Sequence, residues 1–217
     1  IYRQIKRYQR HGVKLAASTI CGWLEATATL LARLAEELKK QVIASGYIQA
    51  DETPLPVLNG ETKGATQTGY LWAYHSPPLQ LVYYDYQPGR SKKGPLGLLS
   101  NFSGYLQTDG YGVYDHASIG GRSDITQLYC MAHARRYFEK ALVTDKEPAH
   151  YFLTELQKLY AIERRLREQS CNPEQIVTIR QQEAVPILAA LKTWLTEQYT
   201  TNLVKGPLTT AVGYALQ

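Results

Sequence analysis

The sequence predicts an α/β fold, a mixed five-stranded sheet flanked by helices, preceded by a helical segment and followed by an all-helical stretch. Three observations carry this. Short runs rich in Tyr, Val and Trp alternate with helical segments between residues 46 and 145. Two of those runs share one spelling, Tyr47-Ile48-Gln49-Ala50-Asp51 and Tyr105-Leu106-Gln107-Thr108-Asp109. Beyond residue 145 only helical periodicity remains.

Residues 1–45 read as helical with a break at His11-Gly12, and Ser18 and Thr19 sit where an N-cap would open an apolar helix. A basic helix, a glycine turn and a capped second helix outline a helix-turn-helix, in which Lys6, Arg7, Arg10, Ser18 and Thr19 are candidate DNA contacts. From Trp23 to Val42 the positions Leu24, Leu31, Leu34, Leu38 and Val42 recur at helical spacing, which predicts a connecting helix or dimer seam, with core packing as the default. Strands are expected at 46–51, 68–75 and 80–87, the second and third joined by a hairpin through Ser76-Pro77-Pro78-Leu79. A proline-stiffened loop is expected to follow Asp51. Arg90 to Pro95 opens a helix to about Phe102, and residues 104–109 form a fourth strand. A short helix around Tyr111 to Ala117, a fifth strand at 125–131 and a helix from near His133 complete the core. In the tail, Phe152, Leu156, Leu159, Ile162 and Leu166 make one apolar stripe, and Leu188, Leu191, Trp194 and Leu195 another. Asn172-Pro173 separates these helices, Pro186 bends or restarts the second, and Pro207 opens a last one. The domain reading is therefore a helical segment and linker (1–45), an α/β core (46–145) and a helical insertion (146–217).

Strand, strand, strand, helix, strand, helix, strand, helix is the plan of the ribonuclease H-like fold, whose first and fourth strands are parallel neighbours. In an extended strand alternate side chains share a face, so Tyr, Gln and Asp of each repeated run point one way. Paired strands lie about 4.8 Å apart, so aspartates at matching ends can hold one divalent ion through hard oxygen ligands. Asp109-Gly110 also reads as a plain turn, and Asp51 as an acid whose burial without a partner costs several kcal/mol.

Composition narrows the function classes. The chain has 217 residues and a net charge of +5, enough length for a sizeable core and a mild bias toward polyanionic partners. The basic residues gather at 3–14, 90–93, 135–136 and 164–167, so Arg90, Lys92, Lys93, Arg135 and Arg136 join the phosphate-contact candidates. No run of eighteen apolar residues predicts a membrane span. Three widely separated cysteines, Cys21, Cys130 and Cys171, fit reduced thiols in a cytosol. Ile1 at the start gives the look of an internal piece of a longer protein.

The motifs Ala50-Asp51-Glu52-Thr53-Pro54, Gly69-Tyr70-Leu71-Trp72, Leu106-Gln107-Thr108-Asp109-Gly110-Tyr111 and Cys130-Met131-Ala132-His133-Ala134-Arg135-Arg136 resemble the bacterial transposases of the insertion sequence sixty-six family. The tail motifs Leu159-Tyr160-Ala161-Ile162-Glu163 and Ala211-Val212-Gly213-Tyr214-Ala215-Leu216 are similar to that family too, so the resemblance covers nearly the whole chain. It implies a DDE transposase, in which two Asp and one Glu hold two Mg2+ ions on a ribonuclease H-like core and cleave and join DNA. Asp51 and Asp109 match the first two acids as catalytic and metal-binding residues. The family's third acid lies in a later helix after paired asparagines, and no such motif occurs here; Glu139, Glu155, Glu163, Glu183 and Glu197 lack its context. The fragment is then expected to be inactive alone and to bind at most one ion weakly. Implied partners are DNA, as transposon ends and target, further copies of the chain assembled on it, and accessory proteins encoded alongside, in a bacterial cytoplasm at the nucleoid. The competing readings are a catalytically incomplete DNA-binding remnant and a ribonuclease H-like nuclease or resolvase. Cys130 and His133 resemble a Cys-x-x-His signature of the active-site neighbourhood. Against it stand a zinc half-site, which lacks its other two ligands, and a buried Cys with a capping His.

Overall fold

The computed structural model describes residues 1–58, 64–114, 122–201 and 205–217. Packing divides the chain into two compact units, Ile1–Leu128 and Tyr129–Gln217.

The first unit opens with α1 (Tyr2–Arg10), which buries no residue, and α2 (Ala17–Ala44). Gly12 turns the chain between them at φ +77°, a conformation that costs glycine nothing. Ser18 and Thr19 are not caps. The N-cap is Ala16, with no side-chain hydrogen bond, and the two hydroxyl residues lie inside the first turn. The apolar stripe of α2 also departs from the core-packing default. Val42 is buried and Leu38 packs against the core, whereas Leu24, Leu31 and Leu34 are 54%, 53% and 66% exposed. Periodicity reports that a face is apolar, not what covers it.

The sheet comprises β1 (Tyr47–Leu58), β2 (Thr66–Ser76), β3 (Leu81–Gln87), β4 (Gly104–Thr108) and β5 (Ile125–Tyr129), in the order β3-β2-β1-β4-β5. β1, β2 and β3 form an antiparallel meander, and β1 pairs with β4 in parallel. The architecture is α/β and ribonuclease H-like. Strand β1 runs seven residues past the expected end at Asp51, through Pro54 and Pro56. Prolines two apart turn their missing N–H toward one strand edge, and the pairing of β1 with β4 ends at Gln49, so β2 still pairs along β1 as far as Leu58. The loop expected there is a one-sided strand extension. Helix α3 (Lys93–Leu99) is shorter than expected, and of the helix expected around 111–117 a 3-10 turn, Gly112–Tyr114, is observed, the remainder lying outside the described residues. Ile48, Trp72, Tyr74, Leu99, Phe102, Leu106 and Tyr114 form the core of this unit.

The second unit is helical: α4 (Met131–Ala141), α5 (Lys146–Glu168), α6 (Pro173–Ile179), a π segment (Arg180–Ala184), α7 (Val185–Thr201) and α8 (Pro207–Ala215). Its core stacks Phe138 on Phe152, ring centroids 3.7 Å apart, among Leu156, Leu191, Leu195, Leu208 and Val212. Asn172 caps α6 in a reciprocal box with Gln175, with Pro173 in the first turn. The restart expected at Pro186 takes the form of the π segment, whose wide turn accommodates the missing N–H. Leu188, placed in the second stripe, is 41% exposed.

Candidate active site

The repeated spelling becomes a register. Tyr47 pairs with Tyr105, Ile48 with Leu106 and Gln49 with Gln107, so like residues of the two runs lie side by side. Ile48 and Leu106 are fully buried on one face. On the other face Tyr47 Oη donates to Gln107 Oε1 at 2.5 Å, and Gln49 Nε2 donates to the same oxygen at 2.8 Å. Gln49 Oε1 in turn contacts His75 Nδ1 at 3.0 Å. This half-buried polar ladder ties β2, β1 and β4 together below the acids and penalises any slip, since displacement leaves donors unpaired.

Two residues beyond the ladder, a carboxylate oxygen of Asp51 and one of Asp109 lie within 4.8 Å of each other. Both aspartates follow the carboxyl ends of parallel-paired segments, where open α/β sheets carry their sites. Asp51 is exposed, and its Oδ1 accepts from the Glu52 N–H at 2.9 Å. Asp109 is half-buried, and its Oδ1 accepts from the Tyr111 N–H at 2.9 Å across Gly110, which adopts φ +78°. The turn expected at Asp109-Gly110 therefore exists and also fixes the carboxylate. Oxygens sharing one magnesium ion lie at most about 4.2 Å apart, so the two acids fit a hard divalent cation in donor type and in approximate spacing.

Sequence reasoning missed Glu52. Strand alternation turns it to the face opposite Asp51, and its side chain is only 2% exposed. Its Oε1 accepts from Arg90 Nε at 2.8 Å and from a terminal guanidinium nitrogen at 2.5 Å, while Oε2 is buried with no hydrogen-bond partner among the described residues. Burial pushes the Glu52 carboxyl above its usual range, Arg90 opposes the rise, and the charges of Asp109 and Asp51 add to it. The Arg90 guanidinium lies 3.8 Å from the Tyr111 ring centroid, and Tyr111 Oη donates to the Arg90 carbonyl at 3.2 Å. A charged residue in phase with Ile48 and Ala50 was the available signal. It went unread because the strand was taken to end at Asp51.

A model of the protein family described as "Transposase IS66 family" matches residues 1–217. The chain belongs to that family. It is 29% identical over 228 aligned residues, all of this chain and 44% of the relative, to a Sinorhizobium fredii (strain NBRC 101917 / NGR234) protein called "Uncharacterized protein y4jD". It is 30% identical over 206 residues, 88% of this chain and 37% of the relative, to "Uncharacterized protein y4qI" of the same strain. The chain thus spans less than half the length of these curated relatives.

The remaining candidates of this IS66 family chain fall into two groups. Within the first unit, Arg7 and Arg10 lie in the last turn of α1 and, with Lys6, are exposed; Lys92 and Lys93 are exposed at the start of α3. Arg90 is engaged with Glu52 and Tyr111. Within the second unit, Cys130 is the N-cap of α4, its carbonyl accepting from the backbone N–H groups of His133 and Ala134. No side-chain cap bond forms there, so neither Cys130 nor His133 caps through its side chain. Arg135 pairs with Glu139 at 2.7 Å, and Arg136 is exposed. Among the described residues no helix is long and apolar enough to cross a membrane.

Proposed function

We propose that this chain carries the catalytic core of a DNA transposase of the DDE type, with Asp51 and Asp109 as two of its metal-holding carboxylates and Mg2+ as the ion. The observation that carries the reading is the in-register pairing of two like-spelled strands, which brings the two acids together at one sheet end. A divalent ion bound there would polarise a phosphoryl oxygen and ready water or a 3′-hydroxyl for attack.

The chain's own residues prepare that site. Tyr111 holds Asp109 through its backbone N–H, and the polar ladder sets the spacing of the strands beneath. The exposed Lys6, Arg7, Arg10, Lys92, Lys93 and Arg136 contact DNA phosphates, and Cys130 and His133 belong to the active-site neighbourhood by family resemblance. The third acid has no counterpart among these 217 residues. Cleavage and strand transfer at transposon ends, assembly of several copies on DNA and accessory proteins are accordingly properties of the longer protein.

The test is strand cleavage of transposon-end DNA in Mg2+ by a protein extended to the length of the relatives. Asp51→Asn and Asp109→Asn should each abolish cleavage while leaving DNA affinity in place, because the amide keeps the shape and removes the charge. Full activity in either variant would place the catalytic centre elsewhere.

A further inference from the structure

We propose that Arg90 is a positioning residue that sets the separation of Asp51 and Asp109, an inference that rests on the assignment of those two acids as metal-holding groups. The paired residues of β1 and β4 end at Gln49 and Gln107, two short of each aspartate. The carboxylates therefore stand past the last backbone pair, and the ladder alone does not fix their spacing.

The Glu52–Arg90–Tyr111 bridge spans that gap. One end grips Glu52, the residue next to Asp51, by two guanidinium hydrogen bonds to one buried oxygen. The other end stacks on the Tyr111 ring and accepts the Tyr111 hydroxyl on the Arg90 carbonyl. The Tyr111 N–H in turn holds Asp109 Oδ1. Each end of the bridge is thus anchored within two residues of an acid, and Arg90 itself comes from the connection between β3 and α3, a third element. The planar guanidinium supplies both a forked donor set and a stacking face, which lysine lacks. The Arg90 side chain is 44% exposed, yet its guanidinium is held by Glu52 and the Tyr111 ring, and these contacts, rather than burial, set it apart from Lys92 and Lys93 as a phosphate ligand.

Amide hydrogen exchange on the full chain tests the bridge without any metal. In Arg90→Ala the Tyr111 amide should exchange at least about tenfold faster, while the Ile48 and Leu106 amides keep their rates. An unchanged Tyr111 rate overturns the proposal. If Arg90→Ala unfolds the first unit, Arg90→Lys, which keeps a cation opposite Glu52, carries the same measurement and the same criterion. In the extended, active protein Arg90→Ala should lower kcat about tenfold or more with the KM for DNA unchanged, as loss of a group that orients metal ligands does. A raised KM with kcat intact and a shallower salt dependence of DNA binding would instead make Arg90 a phosphate contact and overturn the proposal. Failure of the metal-site assignment shows separately, as cleavage that survives Asp51→Asn.

Discussion

Replacing Gly104 with alanine should damage the first unit more than the loss of any single surface contact. Gly104 opens β4 at φ +124°, and a Cβ built there meets the Gly46 carbonyl oxygen at 2.2 Å and its carbon at 2.9 Å. Ordinary carbon–oxygen contacts begin near about 3.3 Å, so roughly 1 Å of overlap must be relieved by moving β4 from β1. The backbone conformation adds about 1–3 kcal/mol for any L side chain, and the Tyr105 N–H bond to Gly46 O, 2.9 Å long, contributes about 1 kcal/mol that the displacement forfeits. With the overlap included, a loss of roughly 3–5 kcal/mol follows, which for a chain of this size lowers the melting temperature by about 10 °C. Differential scanning calorimetry reads it, with Gly97→Ala as the control. Gly97 lies exposed in α3 with nothing within 4 Å of an added Cβ, so alanine there should stabilise by about 0.5–1 kcal/mol. A Gly104→Ala protein melting within about 2 °C of the wild type would refute the close approach of the strands on which the site depends.

Phe138→Ala removes a fully buried ring stacked on Phe152 and should cost the second unit about 3–5 kcal/mol, seen as an earlier urea midpoint. Arg180 grips Glu163 through two bonds of 2.7 Å, and that hydrogen bonding holds the Glu163 carboxyl below its usual range. The pair therefore stabilises the fold above the ordinary glutamate pKa and loses that contribution as pH falls through the lowered folded value. With both side chains partly exposed, it should contribute about 0.5–1 kcal/mol. Glu163→Gln should lower stability at pH 7 and flatten its decline between about pH 5 and pH 3, measured as unfolding free energy against pH. Binding of the chain to duplex DNA of arbitrary sequence should weaken steeply and linearly in log–log salt titrations, by counterion release; salt-independent binding would count against the basic surface.

The strand plan was legible because alternation and turn residues are local signals, and the repeated Tyr-x-Gln-x-Asp runs encode their own register. What escaped was set by non-local structure. Pro54 and Pro56 suggested a loop, yet they fall where no pairing with β4 is observed, so they interrupt no ladder on that side. Glu52 stayed hidden for the same reason, its partner Arg90 being thirty-eight residues away and grouped with Lys92 and Lys93 as a basic cluster. Ser18 and Thr19 have the composition of caps, but the helix begins at Ala17, two residues earlier than a Ser18 cap requires. In α2 the leucine spacing reads correctly as a helix, while the core-packing default fails for Leu24, Leu31 and Leu34, since periodicity is blind to neighbours.

The π segment before Pro186 has a consequence for how the second unit tolerates changes in length. Each residue advances an α-helix by about 100°, so one extra residue in a wide turn sets the azimuth of everything after it. Leu191 and Leu195 point into the core at the phase that the turn dictates. Deleting one residue within 180–184 lets the run relax to plain α-helix with that phase kept. Deleting one between 187 and 190 leaves the wide turn in place and rotates α7 by about 100°, bringing Lys192 and Thr196 to the positions Leu191 and Leu195 now occupy. The helix absorbs a lost residue on one side of Pro186 and is scrambled by the same loss on the other.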